Sequence, residues 1–202
     1  MEEALYSKYG FFNNEKVRSK KSGDFLTSPE VSKYFGKILN QWIQKNNLDL
    51  NIVEFGSGTG SLIEQINTEN KFAVELSSTA RVELSKKNIQ NVASLEDLTF
   101  KESDLVFGNE VLDNIPCSVA VFKDNKWHEK VVNLEDESFS YDFVKARKEI
   151  IDWIEINQIK GDENIDIEVQ INIDKFLENI IHNLNPKRIL FFDYGFEQKD
   201  RV

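Results

Sequence analysis

The amino-acid sequence predicts an α/β fold, in which a mostly parallel sheet is covered by helices on both faces. Short apolar runs typical of buried strands alternate along the chain with segments of helical periodicity. Three closely spaced glycines, Gly56, Gly58 and Gly60, follow the first of these strands. Because a glycine turn between a strand and the next helix is common in open parallel sheets, both observations indicate the same fold class.

The first strong helix signal lies between residues 31 and 43. Its apolar residues recur at the spacing that places them on one face of a helix. The predicted stripe consists of Val31, Tyr34, Phe35, Ile38, Leu39, Trp42 and Ile43. Thr27 is predicted to cap this helix, with Glu30 completing a capping box and Pro29 in the first turn.

The alternation of strands and helices begins after this helix. Strands are predicted at Leu50–Phe55, Phe72–Glu75, Leu105–Gly108 and Ile189–Asp193. Helices are predicted at Ser61–Ile66, Thr79–Lys87 and Lys175–Leu184. Parallel strands joined through helices should follow right-handed crossovers.

One segment interrupts the alternation. Val119–Phe122 and Trp127–Val132 flank a polar turn and predict a β-hairpin. Ile165–Ile173 alternates strictly between apolar and polar residues, which is the period of a strand. The sequence therefore predicts a single domain over residues 1–202, with a hairpin insertion at 117–134.

Composition excludes several classes of function. The net charge of −10 argues against a non-specific nucleic-acid binder, which needs a basic face. The single cysteine, Cys117, and two histidines are too few for a disulfide framework, a cysteine/histidine zinc site or an iron–sulfur cluster, so no metal is expected. No apolar run is long enough to insert into a membrane, and the acidic start lacks a targeting pattern. We therefore expect a cytoplasmic protein, or a mitochondrial-matrix protein in a eukaryote.

The glycine loop indicates a nucleotide-like cofactor. Glycine lets a ligand approach the backbone closely, and the helix N-terminus that follows offers free N–H groups. The spacing here is G-x-G-x-G after the acidic Glu54, rather than the G-x-G-x-x-G of dinucleotide enzymes. An acidic residue there can orient the methionine part of S-adenosylmethionine (SAM), directly or through water. SAM is therefore favoured over NAD, and a glycine turn without a ligand is the remaining alternative.

Glu75 supports this interpretation. It ends the next predicted strand, 15 residues after Gly60. A carboxylate at that position can accept hydrogen bonds from both ribose hydroxyls of an adenosine.

With these residues, the sequence resembles the MidA-like methyltransferases, whose mitochondrial members are complex I assembly factors. Four blocks match in order: Gly23–Glu30 with Phe35-Gly36, Val53–Gly60, Asn109–Pro116, and Phe192-Asp193-Tyr194-Gly195. The stretch from Ala4 to Phe12 also matches. The resemblance implies a Rossmann-like class I fold, SAM as the methyl donor, and a protein arginine as the acceptor.

The resemblance also implies roles for individual residues. It places residues 1–28 over the cofactor, with Gly23, Asp24 and Thr27 among the binding residues. It places Asn109 and Glu110 beside the methyl group in transfer. Since arginine is a cation, carboxylates near the methyl should hold its guanidinium in a bidentate manner, and Glu110 and Asp113 are the candidates. For Asp113, a role as a cap or turn residue is an equal alternative.

The chain departs from the family at its C-terminal end. It stops at Val202, whereas family members continue, so the last strands of the sheet are expected to be missing and Ile189–Phe192 to form an exposed edge. Three explanations are open: a truncation, a partner or second copy that covers this edge, or pairing of Ile165–Ile173 against it. A non-catalytic assembly or interaction module is therefore the alternative to a methyltransferase.

Overall fold

The computed structural model describes residues 1–12 and 32–195. In chain order the helices are α1 (Glu2–Tyr6), α2 (Lys33–Lys45), α3 (Ser78–Lys86), α4 (Lys148–Ile156) and α5 (Ile171–Leu184). The strands are β1 (Ile52–Phe55), β2 (Lys71–Val74), β3 (Gln90–Val92), β4 (Leu105–Asn109), β5 (Ser118–Lys123), β6 (Lys126–Glu135), β7 (Ser138–Lys145), β8 (Asp166–Val169) and β9 (Arg188–Phe192). The chain divides into two compact units, Met1–Asn114 with Glu178–Val202, and Ile115–Leu177.

The first unit is built on a five-stranded parallel sheet. Its strand order is β3-β2-β1-β4-β9. All four residues of β1 are buried, as expected of a central strand covered on both faces. The parallel register brings the carboxyl ends of β1, β2, β4 and β9 to one edge. The predicted α/β fold with a mostly parallel sheet is confirmed.

Helix α2 packs on this sheet, but through a narrower stripe than the sequence predicts. Leu39 and Ile43 are buried against β1 and β4, whereas Tyr34 and Ile38 are 72% and 66% exposed. The N-cap is Ser32, whose side chain accepts a hydrogen bond from the Tyr34 N–H. The helix is therefore not capped by Thr27; Thr27, Pro29, Glu30 and Val31 lie outside the described residues.

Two other predicted helices have different bounds. The segment predicted as a helix at Ser61–Ile66 is a short 3₁₀ turn, Ile63–Gln65, closed by hydrogen bonds between residues three apart. Helix α5 begins at Ile171 rather than at Lys175. The alternating pattern of Ile165–Ile173 therefore covers the whole of β8 and the first turn of α5, because an apolar residue at every second position does not separate the two.

The second unit contains a four-stranded antiparallel sheet in the order β7-β6-β5-β8. The predicted hairpin forms, since β5 pairs with β6, and β7 and β8 extend it on either side. Helix α4 buries Ile150 and Ile154 against this sheet. Because β8 pairs with β5, the idea that Ile165–Ile173 pairs with the edge of β9 is wrong.

Within residues 1–12 and 32–195, no helix is long and apolar enough to cross a membrane.

A buried asparagine holds α2 against the glycine-loop side of the sheet. Asn40 donates from Nδ2 to the Gly36 and Gln65 carbonyls, at 2.8 and 2.6 Å, and its Oδ1 accepts from the Asn67 N–H at 2.8 Å. The Asn40 side chain thus provides hydrogen-bond partners for backbone groups of Gln65 and Asn67 that the short 3₁₀ turn does not pair.

We expect Asn40→Ala to lower the free energy of unfolding by about 2–3 kcal/mol, because it removes a buried side chain and leaves the part-buried Gln65 carbonyl and Asn67 N–H without this partner. Asn183→Ala is the matched control, since the half-buried Asn183 also donates to the carbonyl four residues earlier, but through a solvent-exposed hydrogen bond. It should change stability by less than about 0.5 kcal/mol. Urea denaturation measures both, and equal effects would contradict the role given to Asn40.

Candidate functional site

The glycine loop turns sharply away from the end of β1. Gly56, Gly58 and Gly60 have φ angles of +62°, +51° and +81°, in the region that L side chains rarely adopt. The Ser57 hydroxyl donates to the Glu54 carbonyl at 3.1 Å, and the Gly60 N–H donates to the Ser57 carbonyl at 2.8 Å. The loop is therefore a fixed backbone structure.

Gly60 is also required by the hydrophobic core. A Cβ atom placed there would lie 2.7 Å from Leu84 Cδ2 and 3.1 Å from Ile89 Cδ1. Gly60 thus lets Leu84 of α3 and Ile89, just before β3, pack closely beneath the loop.

Glu75 follows β2 and is linked to the loop. Its Oε2 accepts a hydrogen bond from the Gly58 N–H and its Oε1 accepts one from the Ser77 N–H, each at 2.8 Å. Burial raises the pKa of this carboxyl, while the two N–H groups and the Arg81 cation lower it. The predicted pair of glycine loop and second-strand carboxylate is in contact.

Glu54 is the most deeply buried acidic residue at this edge, with 3% of its surface exposed. Burial raises its pKa to about 8, although hydrogen bonds from Ser57 and the Ile63 backbone act in the opposite direction. Its Oε2 has no hydrogen-bond partner among the described residues. Closed off from solvent, Glu54 can reach a ligand only through atoms of the loop or an enclosed water.

Asn109 and Glu110 lie where β4 ends beside β9. The Glu110 N–H donates to the Phe192 carbonyl at 2.8 Å, which continues the ladder between these strands. Asn109 Nδ2 lies 3.2 Å from Glu110 Oε1. Glu110 itself has a φ of +55°, a strained conformation for glutamate that is found preferentially at functional sites.

Asp113 lies in the 3₁₀ turn Leu112–Asn114, and Asp193 supports this turn from the end of β9. Asp193 Oδ2 accepts from the Leu112 and Asp113 N–H groups, at 2.7 and 3.2 Å. Burial, followed by the charges of Asp193 and Glu110, raises the pKa of Asp113. Glu110, Asp113 and Asp193 therefore form one cluster of negative charge.

Two tyrosines border this cluster. Tyr194 is close enough to Glu110 for that charge to raise the pKa of its phenol. Tyr6 donates from its hydroxyl to the Asn114 carbonyl at 2.8 Å. Burial, with the charges of Glu75 and Asp113, raises the pKa of Tyr6 to about 12. Tyr6 thus lies between the carboxylate after β2 and the cluster after β4.

The structure brings most of the predicted site residues to one edge of the sheet. These are Glu54, Gly56, Gly58, Gly60, Glu75, Asn109, Glu110 and Asp113. Gly23, Asp24 and Thr27 lie outside the described residues. Sequence reasoning did not assign Tyr6, Asp193 and Tyr194 to the site, although the position of Asp193 directly after a strand is a signal that was present.

Within the described part of the chain, no three histidine, cysteine, aspartate or glutamate side chains are placed to hold one metal ion.

The fold is shared with solved bacterial structures. A superfamily member from Burkholderia thailandensis, described as a "likely methyl transferase" and bound to S-adenosyl-homocysteine, matches with a TM-score of 0.80 and 23% identity over 96% of this chain and 57% of its own. An uncharacterized protein of the same superfamily and organism matches with a TM-score of 0.74 and 23% identity, over 98% and 56%. This chain thus spans little more than half the length of these proteins, and the likeness shows that it shares their α/β fold.

The family follows from the sequence. A family model described as "Putative S-adenosyl-L-methionine-dependent methyltransferase" matches residues 34–202. The chain belongs to this family, which confirms the resemblance to the MidA-like methyltransferases. The cofactor predicted from the glycine spacing and Glu75 is the one on which this family depends.

The raised pKa of Glu54 makes stability depend on pH. The folded carboxyl titrates at about 8, above its ordinary value of 4.5, so the folded state holds a proton that the unfolded state has released. The contribution of Glu54 to the free energy of unfolding should therefore be greatest below pH 4.5. It should fall by up to about 1.4 kcal/mol per pH unit as the pH rises towards 8.

Urea denaturation between pH 5 and 9 tests this expectation. Relative to the wild type, Glu54→Gln should become progressively more stable as the pH rises, because glutamine carries no titrating proton. Glu178→Gln, an exposed position on α5, should follow the wild type throughout. A constant difference between wild type and Glu54→Gln would show that Glu54 does not titrate in this range.

Proposed function

We propose that this chain binds SAM at the carboxyl ends of β1 and β2 and that it methylates an arginine side chain of a protein. The observation that carries the proposal is the hydrogen bond between Gly58 and Glu75, which joins the glycine loop to the second-strand carboxylate. We place the activity in the cytoplasm, because a chain with one cysteine gains nothing from an oxidising compartment.

The acceptor oxygens of Glu75 and the open glycine backbone fit the adenosine part of SAM. A carboxylate has about four acceptor sites, and the Gly58 and Ser77 N–H groups use two on Glu75. The remaining sites can accept from both ribose hydroxyls. The glycine backbone at Gly56 and Gly58 leaves no side chain to obstruct the ligand, and Glu54 beneath the loop offers an acceptor oxygen that the methionine ammonium can reach through a water.

The cluster after β4 fits a cationic acceptor. SAM supplies an electrophilic methyl group, so that transfer breaks its C–S bond, forms a C–N bond and releases a proton from the acceptor nitrogen. Glu110 and Asp113 can hold a guanidinium through charge-assisted hydrogen bonds, and Asp193 keeps the turn that carries Asp113 in place. Holding the acceptor in line with the methyl group lowers the barrier chiefly by orientation.

Cofactor binding is tested by Gly58→Val. A β-branched residue at a φ of +51° distorts the loop and its bond to Glu75, so SAM affinity measured by calorimetry should fall at least about 100-fold. Asn88→Val is the matched control, because Asn88 has a φ of +57° but precedes β3 at the opposite end of the strands. Asn88→Val should lower the free energy of unfolding and leave the affinity for SAM unchanged. Equal binding by wild type and Gly58→Val, or none by either, would refute the proposed cofactor site.

Catalysis is tested by Glu110→Gln. Methyl transfer from labelled SAM to proteins of a cell extract should fall about 100-fold, because the neutral amide no longer pairs with the acceptor cation. Affinity for S-adenosyl-homocysteine should change less than about threefold. Glu155→Gln, an exposed position on α4, is the control and should retain activity.

The chemical identity of the labelled product decides between the candidate acceptors. Hydrolysis of the labelled protein should yield methylated arginine. Methylated lysine or a labelled small molecule would contradict the proposed acceptor. An absence of labelled product, with SAM binding intact, would instead favour a non-catalytic assembly module.

A further inference from the structure

Residues 1–12, which we call the N-terminal segment, fold back on themselves. The Phe12 N–H donates to the Leu5 carbonyl at 3.0 Å, so the chain returns to α1 after leaving it. Gly10 is buried in this turn, where a Cβ atom would lie 2.7 Å from the Leu5 carbonyl carbon. Glycine allows so close an approach of two backbone segments because it has no Cβ atom. The N-terminal segment is therefore a compact element with a defined backbone.

Tyr6 is the residue through which this segment reaches the candidate site. Its ring is half-buried and stacks on Phe12, with the two centroids 5.6 Å apart. Its hydroxyl donates to the Asn114 carbonyl at 2.8 Å. A phenol has one O–H group, and the stacked ring directs it at this acceptor. Tyr6 thus joins the N-terminal segment to the end of the 3₁₀ turn that follows β4.

Asn114 carries this contact into the carboxylate cluster. Its Nδ2 donates to Asp113 Oδ1 at 2.8 Å and to the Glu110 carbonyl at 3.0 Å. Asp193 holds the same turn from its other end, through the backbone N–H groups of Leu112 and Asp113. The turn is therefore fixed from two sides.

The Tyr6 hydroxyl orients this turn without adding charge to it. Burial, with the charges of Glu75 and Asp113, raises the pKa of Tyr6 to about 12, so the hydroxyl keeps its proton at neutral pH. A neutral donor leaves the negative charge of the cluster intact. An ammonium group at the same place would pair with Asp113 and compete with a cationic acceptor.

We propose that Tyr6 is a positioning residue, which fixes the turn Leu112–Asn114 so that the Asp113 carboxylate is oriented before the acceptor guanidinium binds. The inference rests on the proposed function and adds the N-terminal segment to the acceptor site. Orienting a binding group in advance lowers the cost of binding, because less side-chain and backbone freedom is lost when the acceptor arrives. Tyr6 acts through Asn114, and it acts on the acceptor rather than on SAM.

Amide hydrogen exchange of the full chain tests whether Tyr6 fixes the turn. Tyr6→Phe removes the hydroxyl and keeps the ring that stacks on Phe12. Exchange at the Leu112 and Asp113 N–H groups should become at least about threefold faster, because the turn loses one of its two supports. Tyr9→Phe is the matched control, since it makes the same change in the same segment at a side chain that is 87% exposed. Unchanged exchange at Leu112 and Asp113 in Tyr6→Phe would overturn the proposal.

Methyl transfer separates positioning of the acceptor from a general effect on folding. With labelled SAM and a dilution series of cell-extract protein, Tyr6→Phe should raise the apparent KM for protein about fivefold. Its kcat and its affinity for S-adenosyl-homocysteine should stay within about twofold, because Glu75 keeps its bonds with Gly58 and Ser77. Tyr9→Phe should match the wild type throughout. A fall in kcat alone, or in affinity for S-adenosyl-homocysteine, would contradict the role given to Tyr6.

A double-variant cycle tests whether Tyr6 acts through Asp113. Added to Asp113→Asn, Tyr6→Phe should raise the apparent KM by less than about twofold, since the group that it orients has already lost its charge. Effects that multiply in the double variant would show that Tyr6 acts elsewhere. A wild type that binds S-adenosyl-homocysteine and labels no protein would refute the proposed function, whereas the exchange rates would still decide whether Tyr6 fixes the turn.

Discussion

The hydrogen bond from the Gly58 N–H to the Glu75 carboxylate is the contact on which the candidate site depends. It joins two segments that are distant in sequence and adjacent only because β1 and β2 are parallel and in register from Ile52↔Lys71 to Phe55↔Val74. A shift of one residue between the strands would move Glu75 to the other face of the sheet. The buried apolar residues of β1 therefore determine the geometry of a polar site that they do not touch.

The same parallel arrangement concentrates acidic groups at one edge. Glu54, Glu75, Glu110, Asp113 and Asp193 all follow or end strands whose carboxyl ends meet there. Water cannot screen them fully, and burial raises the pKa values of Glu54, Glu75 and Asp113. Clustered carboxylates that resist ionisation are costly to the free protein, and the proposed cationic acceptor would offset that cost on binding.

Sequence alone predicted the features that depend on local pattern. The strand, glycine loop and Glu75 were identifiable because an apolar run, a glycine spacing and a carboxylate at a strand end each carry a short-range signal. The predicted N-cap of α2, Thr27, was wrong. Ser32 and Thr27 are both good capping residues, and only packing distinguishes them. The exposed Tyr34 and Ile38 show likewise that an apolar stripe can be wider than the surface it packs on.

Features that depend on long-range contacts were not predictable. Tyr6 joins the site through a hydrogen bond to a residue 108 positions away. Strand β7 and helix α4 were missed although each has a local signal: Phe139, Tyr141 and Phe143 alternate in β7, and Ile150 and Ile154 recur at helical spacing in α4. The sequence of Ser61–Ile66 is compatible with an α-helix. The hydrogen bonds of Asn40 with Gln65 and Asn67 fix a single tight turn there instead.

The strained backbone of Glu110 has a consequence for how this chain can change over time. Glycine adopts a positive φ without strain. A Glu110→Gly substitution would therefore raise the free energy of unfolding while it removes a carboxylate from the site. Selection for thermal robustness alone would therefore tend to erase this residue. An acidic residue would be kept at position 110 only if its charge contributes to function. Conservation of Glu110 among related proteins would therefore support a role in catalysis.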